Sequence, residues 1–302
     1  MKRLLTQTLA AMALIAPVLP ALADSQPAKA VQPAVSTPDK SGRVAVNGLN
    51  YYYEVHGKGE PLLLLHGGLG STDMFTPVLP AFAQQRQVIA IDLQGHGRTA
   101  LGDRPFSLDA MGNDIKGVLD KLGYTQVDVL GYSLGGGVGF RLAVQHPQYV
   151  RRLVLLSAGY ASEGFFEDIR AQQNTINADS MAFMKDTPMY QSYVKVAPKP
   201  DDFPRLLGAI GDFMKQGYDY AADVAKLKMP VMLVFGDSDM YRPEHVIKFY
   251  QSLGGGLKDA GWMRENLSQN RLAILPNATH YDILYAPGLV STTLPFLNGY
   301  PK

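Results

Sequence analysis

The stretch Val127-Asp128-Val129-Leu130-Gly131-Tyr132-Ser133-Leu134-Gly135-Gly136-Gly137 joins an apolar run to a segment of helical spacing that continues to His146. A serine at such a corner must occupy a sharp, strained turn if its hydroxyl is to stand clear of the backbone. The positions two before and two after it must then lack bulk. Both are glycine here, Gly131 and Gly135. This makes Ser133 a candidate nucleophile at the C-terminal end of a buried strand.

Working outward, short apolar runs bounded by turn residues recur at Leu62–Leu65, Val88–Leu93, Leu153–Leu156, Val231–Phe235 and Leu272–Leu275. Continuous runs of this length suit strands buried on both faces. Between them lie segments of helical spacing. The clearest starts at Ser107 as N-cap, sets Leu108, Met111, Ile115, Leu119 and Leu122 along one face, and stops at Gly123. Strands alternating with helices predict an α/β fold, a mostly parallel sheet with helices on both faces. Upstream, the turn pair Asn47-Gly48 between Arg43–Val46 and the tyrosine-rich Leu49–Val55 predicts an antiparallel hairpin at the sheet edge.

Two stretches break the alternation. From about Gly159 to Leu227 there is no strand-like run, only helical fragments carrying Phe165, Phe166, Met181, Phe183, Met184, Met189, Tyr190 and Tyr193. These read as a helical cap, inserted after the sixth strand, whose apolar side chains wall a pocket. The second stretch, Gly254-Gly255-Gly256 through Asn270, reads as a surface loop before the last strand.

Of the 302 residues, 46% are hydrophobic and 18% charged, enough to bury a large core. A net charge of +1, from 28 basic and 27 acidic residues, gives no field to gather nucleic acid or anionic lipid. Lys2 and Arg3, the apolar run Leu9–Leu22 and the small-residue site ending at Ala23 form the pattern of a cleaved signal peptide over residues 1–23. Pro17, Pro20 and the shortness of the run argue against a membrane anchor, so a periplasmic or secreted protein without stable membrane insertion is expected. With no cysteine, neither a disulfide framework nor a lipidated cysteine is available. Residues 24–41, rich in Pro, Ala, Ser and Gln, read as a flexible tether, leaving 42–302 for the folded domain.

A serine hydroxyl needs a base, expected late in the chain on a loop after a strand. His280 fits, five residues beyond Leu275, whereas His56, His66, His96, His146 and His245 fall at a hairpin end, in glycine turns or at helix ends. The base needs a carboxylate to hold its tautomer. Gly236-Asp237-Ser238-Asp239 offers two, and Asp239 is preferred because the chain must carry the group clear of the strand end. Asp237 is assigned to nearby backbone amides. Asp92 precedes the serine and so departs from the chain order Ser, Asp, His. Donors for an oxyanion come from the backbone of Leu134 and from His66-Gly67-Gly68-Leu69-Gly70, where the amide of Gly68 is chosen and that of Leu69 is the rival. Neither glycine cluster keeps the spacing of a dinucleotide-binding loop.

On His66-Gly67-Gly68, the segment from Asp92 to Arg98, Gly131 to Gly135, Gly236 to Asp239 and His280, the chain resembles the alpha/beta-hydrolase superfamily, of the kind with a short helical cap, from Arg43 to its C-terminus. The resemblance implies an eight-stranded sheet whose second strand is antiparallel, and no organic or metal cofactor. Serine at position 133 disfavours the relatives with an aspartate nucleophile.

The expectation is a serine hydrolase that cleaves a carboxylic ester or lactone with a small, apolar acyl group through an acyl-enzyme on Ser133. Acyl transfer, perhydrolysis, carbon–carbon bond hydrolysis and peptide hydrolysis by the same triad stay open. So does a binding or receptor protein with a vestigial triad, since a fold does not fix a reaction.

Overall fold

The computed structural model describes residues 37–300. The expected signal peptide, and the tether as far as residue 36, lie outside the described residues. The eight strands are β1 (Lys40–Val46), β2 (Leu49–His56), β3 (Pro61–Leu65), β4 (Gln87–Ile91), β5 (Val127–Tyr132), β6 (Val150–Leu156), β7 (Val231–Ser238) and β8 (Arg271–Thr279). They form one sheet in the order β1-β2-β4-β3-β5-β6-β7-β8. β2 pairs antiparallel with both β1 and β4, and every later pairing is parallel. The hairpin therefore sits at the sheet edge, turned by Asn47 and Gly48, both at positive φ. Lys40 and Ser41, expected in the tether, belong to β1, where they pair with Val55 and Glu54. The pairing partner lies downstream, so the tether's composition could not reveal it.

The helices are α1 (Leu79–Ala83), α2 (Leu108–Leu122), α3 (Leu134–Gln145), α4 (Glu167–Gln173), α5 (Met181–Met184), α6 (Pro188–Val196), α7 (Phe203–Gln216), α8 (Ala221–Val224), α9 (Pro243–Ser252) and α10 (Leu289–Leu297). Ser107 caps α2 by accepting from the amide of Ala110, and Gly123 closes it at φ 84°. Side chains alternate across the sheet, which explains the unbroken apolar runs. Leu63, Leu65, Ile89, Val129 and Leu155 pack with α2, α3 and α9 on one face. Leu62, Leu64, Val88, Leu130 and Val154 pack with α1 and α10 on the other.

Helices α4 to α8 fill the interval between β6 and β7, where the cap was expected. The cap has its own apolar cluster around Phe203, Leu206, Leu207 and Ile210 of α7, with Tyr193 of α6. Between Leu253 and Asn270 the chain forms neither helix nor strand, and Trp262 there is 96% exposed. Among the described residues no helix is long and apolar enough to cross a membrane.

Candidate active site

The chain turns from β5 into α3 through one residue, Ser133, at φ 52° and ψ −116°. A non-glycine residue rarely adopts such a backbone, and it survives here because packing over-determines it. A Cβ on Gly131 would come within 2.3 Å of the Gly135 carbonyl oxygen, and one on Gly135 within 2.1 Å of the Leu65 carbonyl oxygen. Both glycines are thus required for strand and helix to close on each other. The amide of Ser133 donates to the Leu156 carbonyl at 2.9 Å, pinning the corner to β6.

The parallel strands all end on this side of the sheet, which brings distant loops to the serine. His280 follows directly after β8, which runs on to Thr279, four residues past the apolar run that betrayed it. Its ring is held from two directions. The Ser133 hydroxyl donates to Nε2 at 3.0 Å, and Nδ1–H donates to Oδ1 of Asp239 at 3.0 Å. A carboxylate accepts only, so the contact fixes the tautomer. Asp239 follows β7, and its Oδ1 also accepts the amide of Met240 at 2.8 Å. Asp237 turns away and accepts the amides of Asn277 and Ala278 in β8 at 3.0 and 3.2 Å. The structure therefore brings Ser133, His280 and Asp239 into one hydrogen-bonded line and leaves Asp237 outside it.

Gly68 and Leu134 both line the cavity at Ser133, and among the described residues neither amide has a hydrogen-bond acceptor. Leu69, the rival, stands at φ 58° and does not line that cavity. The loop that carries Gly68 is braced by His66, whose Nε2 accepts the amide of Leu93 at 3.0 Å while Nδ1 donates to the Gly67 carbonyl at 2.8 Å. Burial drives this imidazole down to about 4, so it stays neutral and keeps both bonds. Asp92 ties the same region together by accepting the amides of Thr72 and Arg98, each at 2.7 Å. Burial pushes its carboxyl up to about 6 against those donors. Among the described residues no three His, Asp or Glu side chains converge as a metal-ligand set.

A model of the alpha/beta hydrolase fold family matches residues 60–201, which contain β3 to β6, Ser133 and the start of the cap. The chain has the alpha/beta-hydrolase fold. The chain is 29% identical over 252 residues to the serine hydrolase BPHL of Mus musculus, with 80% of each chain covered. It is 33% identical over 140 residues to a 2-hydroxymuconate semialdehyde hydrolase of a Pseudomonas species, covering 45% of this chain and 50% of that one. The first curated relatives are matched over 43% and 44% of their length, so the chain spans less than half of each. Among solved structures, the enol-lactonase of Burkholderia xenovorans superposes with a TM-score of 0.65 at 20% identity, over 85% of this chain and 100% of that one. At that identity the likeness concerns the fold.

Two contacts of the site were not anticipated. Ser157, directly after β6 and fully buried at φ 50°, donates a short hydrogen bond to Oδ2 of Asp239. Tyr132 donates to the carbonyl of His280 at 2.6 Å, so the residue before the serine holds the loop of the base. The sequence signal was faint in both cases: a polar residue at a strand end, and a hydroxyl on the aromatic that precedes the serine.

The cavity at Ser133 has a volume of about 80 Å³. Of the cap residues expected to wall it, only Phe165 does, while Phe183 is 70% exposed. The wall comes instead from α7 and the chain after it, with Ile210, Phe213, Met214 and Tyr218. Helix α7 turns its apolar face to the site, whereas α5 is a single turn that buries none of its residues.

Proposed function

We propose that this protein is a serine hydrolase that cleaves compact, largely apolar carboxylic esters or lactones through an acyl-enzyme on Ser133. The observation that carries the reading is the line Ser133 Oγ, His280 Nε2, His280 Nδ1, Asp239 Oδ1, each hydrogen bond 3.0 Å long, opening on an apolar cavity. His280 takes the hydroxyl proton as Ser133 attacks the carbonyl carbon. The amides of Gly68 and Leu134 receive the negative oxygen of the tetrahedral intermediate. Protonated His280, held by Asp239, passes its proton to the leaving alkoxide, and the same imidazole then activates water to release the acid.

The size of the cavity supports a short acyl group. An apolar cavity of about 150 Å³ takes up benzene, and the one here is about half as large. The enol-lactonase neighbour supports keeping a lactone among the proposed substrates. Export, with loss of residues 1–23, belongs to the same proposal and is checked by sequencing the N-terminus of protein recovered from the cell envelope.

The test is a panel of p-nitrophenyl esters of graded chain length beside simple lactones and amides. Turnover should be greatest for two- to four-carbon acyl groups. Ser133→Ala should lower kcat on the order of 10⁶-fold, the size of loss seen when a triad serine is removed, and should abolish labelling by a fluorophosphonate. Turnover confined to amides, or full activity in the alanine variant, would refute the reading.

A further inference from the structure

At the cap end of the cavity two phenols meet. The hydroxyls of Tyr218 and Tyr241 lie 3.2 Å apart, one donating to the other. They come from opposite sides of the cleft: Tyr218 follows α7 in the cap, and Tyr241 follows β7 two residues after Asp239. Both rings are fixed. Tyr218 stacks on Phe213 and Tyr220, with centroids 5.9 and 5.5 Å away. Its amide donates to Ser162 Oγ at 2.7 Å. Tyr241 stacks on Phe165 at 4.2 Å and meets Phe235 edge-on at 5.6 Å. Gly159 makes room for it, since a Cβ there would come within 2.4 Å of the Tyr241 ring.

Two phenols carry two donor hydrogens, and their mutual bond uses one. The Gly159 amide also donates toward the Tyr241 oxygen, but among the described residues neither hydroxyl has a further acceptor, so one O–H is left over at the wall of the cavity. Apart from Ser133, every other lining side chain is hydrocarbon or thioether, and none carries a positive charge. Burial pushes Tyr218 up to about 12 and Tyr241 well above its ordinary 10, so both remain protonated near neutral pH.

We infer that the Tyr218–Tyr241 pair is a specificity device that selects acyl groups bearing a neutral oxygen acceptor, such as an ether, oxo or hydroxyl group, over their plain hydrocarbon isosteres. A spare donor in an apolar enclosure favours a partner that satisfies it, and a site built around such a donor discriminates against a ligand that leaves it unpaired. A carboxylate is disfavoured, because no cation lines the cavity to offset its desolvation. The inference rests on the serine-hydrolase reading and narrows its substrate class.

The test compares p-nitrophenyl methoxyacetate with p-nitrophenyl butyrate, in which one ether oxygen replaces one methylene. In the parent protein the ratio of their kcat/KM values, divided by the ratio of their hydroxide-catalysed rates, should exceed unity by about tenfold, the effect of one buried hydrogen bond. In the double variant Tyr218→Phe/Tyr241→Phe, which removes both hydroxyls, that normalised ratio should collapse toward one. A normalised ratio near one in the parent, or an unchanged ratio in the double variant, would overturn the inference. The parent measurement stands even where a variant fails to fold. Loss of the serine-hydrolase reading has a separate signature, absence of a fluorophosphonate adduct on Ser133 in the parent.

Discussion

Asp128 and Asp239 are both buried carboxylates on the same sheet, and their surroundings are opposite. Asp128, second residue of β5, is fully buried at the end away from Ser133 and is gripped by cations. Arg151 reaches its two oxygens at 2.9 and 2.8 Å, and Arg86 makes a short ion pair. Arg86 in turn donates to the carbonyls of Glu60 and Leu297, binding the start of the sheet to the C-terminal helix. Asp239 meets no Arg or Lys among the described residues. Its partners are the Ser157 hydroxyl, backbone amides and the imidazole of His280. The difference follows from what each must do. A carboxylate neutralised by guanidinium is a permanent clamp, whereas one held by neutral donors keeps its charge for the imidazolium that the proposed reaction forms.

The sharpest way to break the contrast is to neutralise both acids. Asp239→Asn should lower kcat by about 10⁴-fold, because the amide favours the wrong tautomer of the imidazole, while the thermal midpoint stays close to the parent's. Asp128→Asn should do the reverse, costing roughly 3–5 kcal/mol of stability by leaving Arg86 buried without its counter-charge, with kcat/KM retained below the unfolding transition. Stability loss in the first, or activity loss without unfolding in the second, would erase the distinction.

A smaller effect sharpens the catalytic side. In Ser157→Ala, Oδ2 of Asp239 keeps only the long 3.4 Å contact from the Gly236 amide. With one fewer donor fixing the carboxylate against the imidazole, kcat should fall by about tenfold while KM changes little. Parent-like kinetics would reduce Ser157 to a packing residue.

The gentlest probe is pH. Burial drives His66 and His245 down to about 4 and His96 to about 3, from an ordinary 6.5. All three are therefore neutral in the folded protein at pH values where the unfolded chain already binds protons. Their contribution is fully present above pH 6.5 and is lost as the pH falls toward 4 and then 3. Asp92, raised from 3.8 to about 6, acts oppositely, adding stability as the pH falls through that window. One such group against three leaves a net loss, so the urea midpoint should fall between pH 7 and pH 4.5. A level midpoint would mean that the buried end of the molecule does not govern acid stability.

The layers of the fold were legible because buried parallel strands print as unbroken apolar runs and helices as a 3.6-residue pattern. Both signals are local. Ser133 was equally plain, since the two glycines that permit its backbone lie within two residues of it. His280 and Asp239 were found by their rank after particular strands, although both strands extend beyond their apolar cores, β7 to Ser238 and β8 to Thr279. What sequence alone determined was this framework and the three side chains it carries to one end of the sheet. Only the tertiary structure decided that Ser157 and Tyr132 brace them, that α7 rather than α5 walls the cavity, and that Tyr218 meets Tyr241. Those contacts join residues remote in the chain, and no periodicity or turn motif encodes a meeting fixed by how helices pack over a sheet.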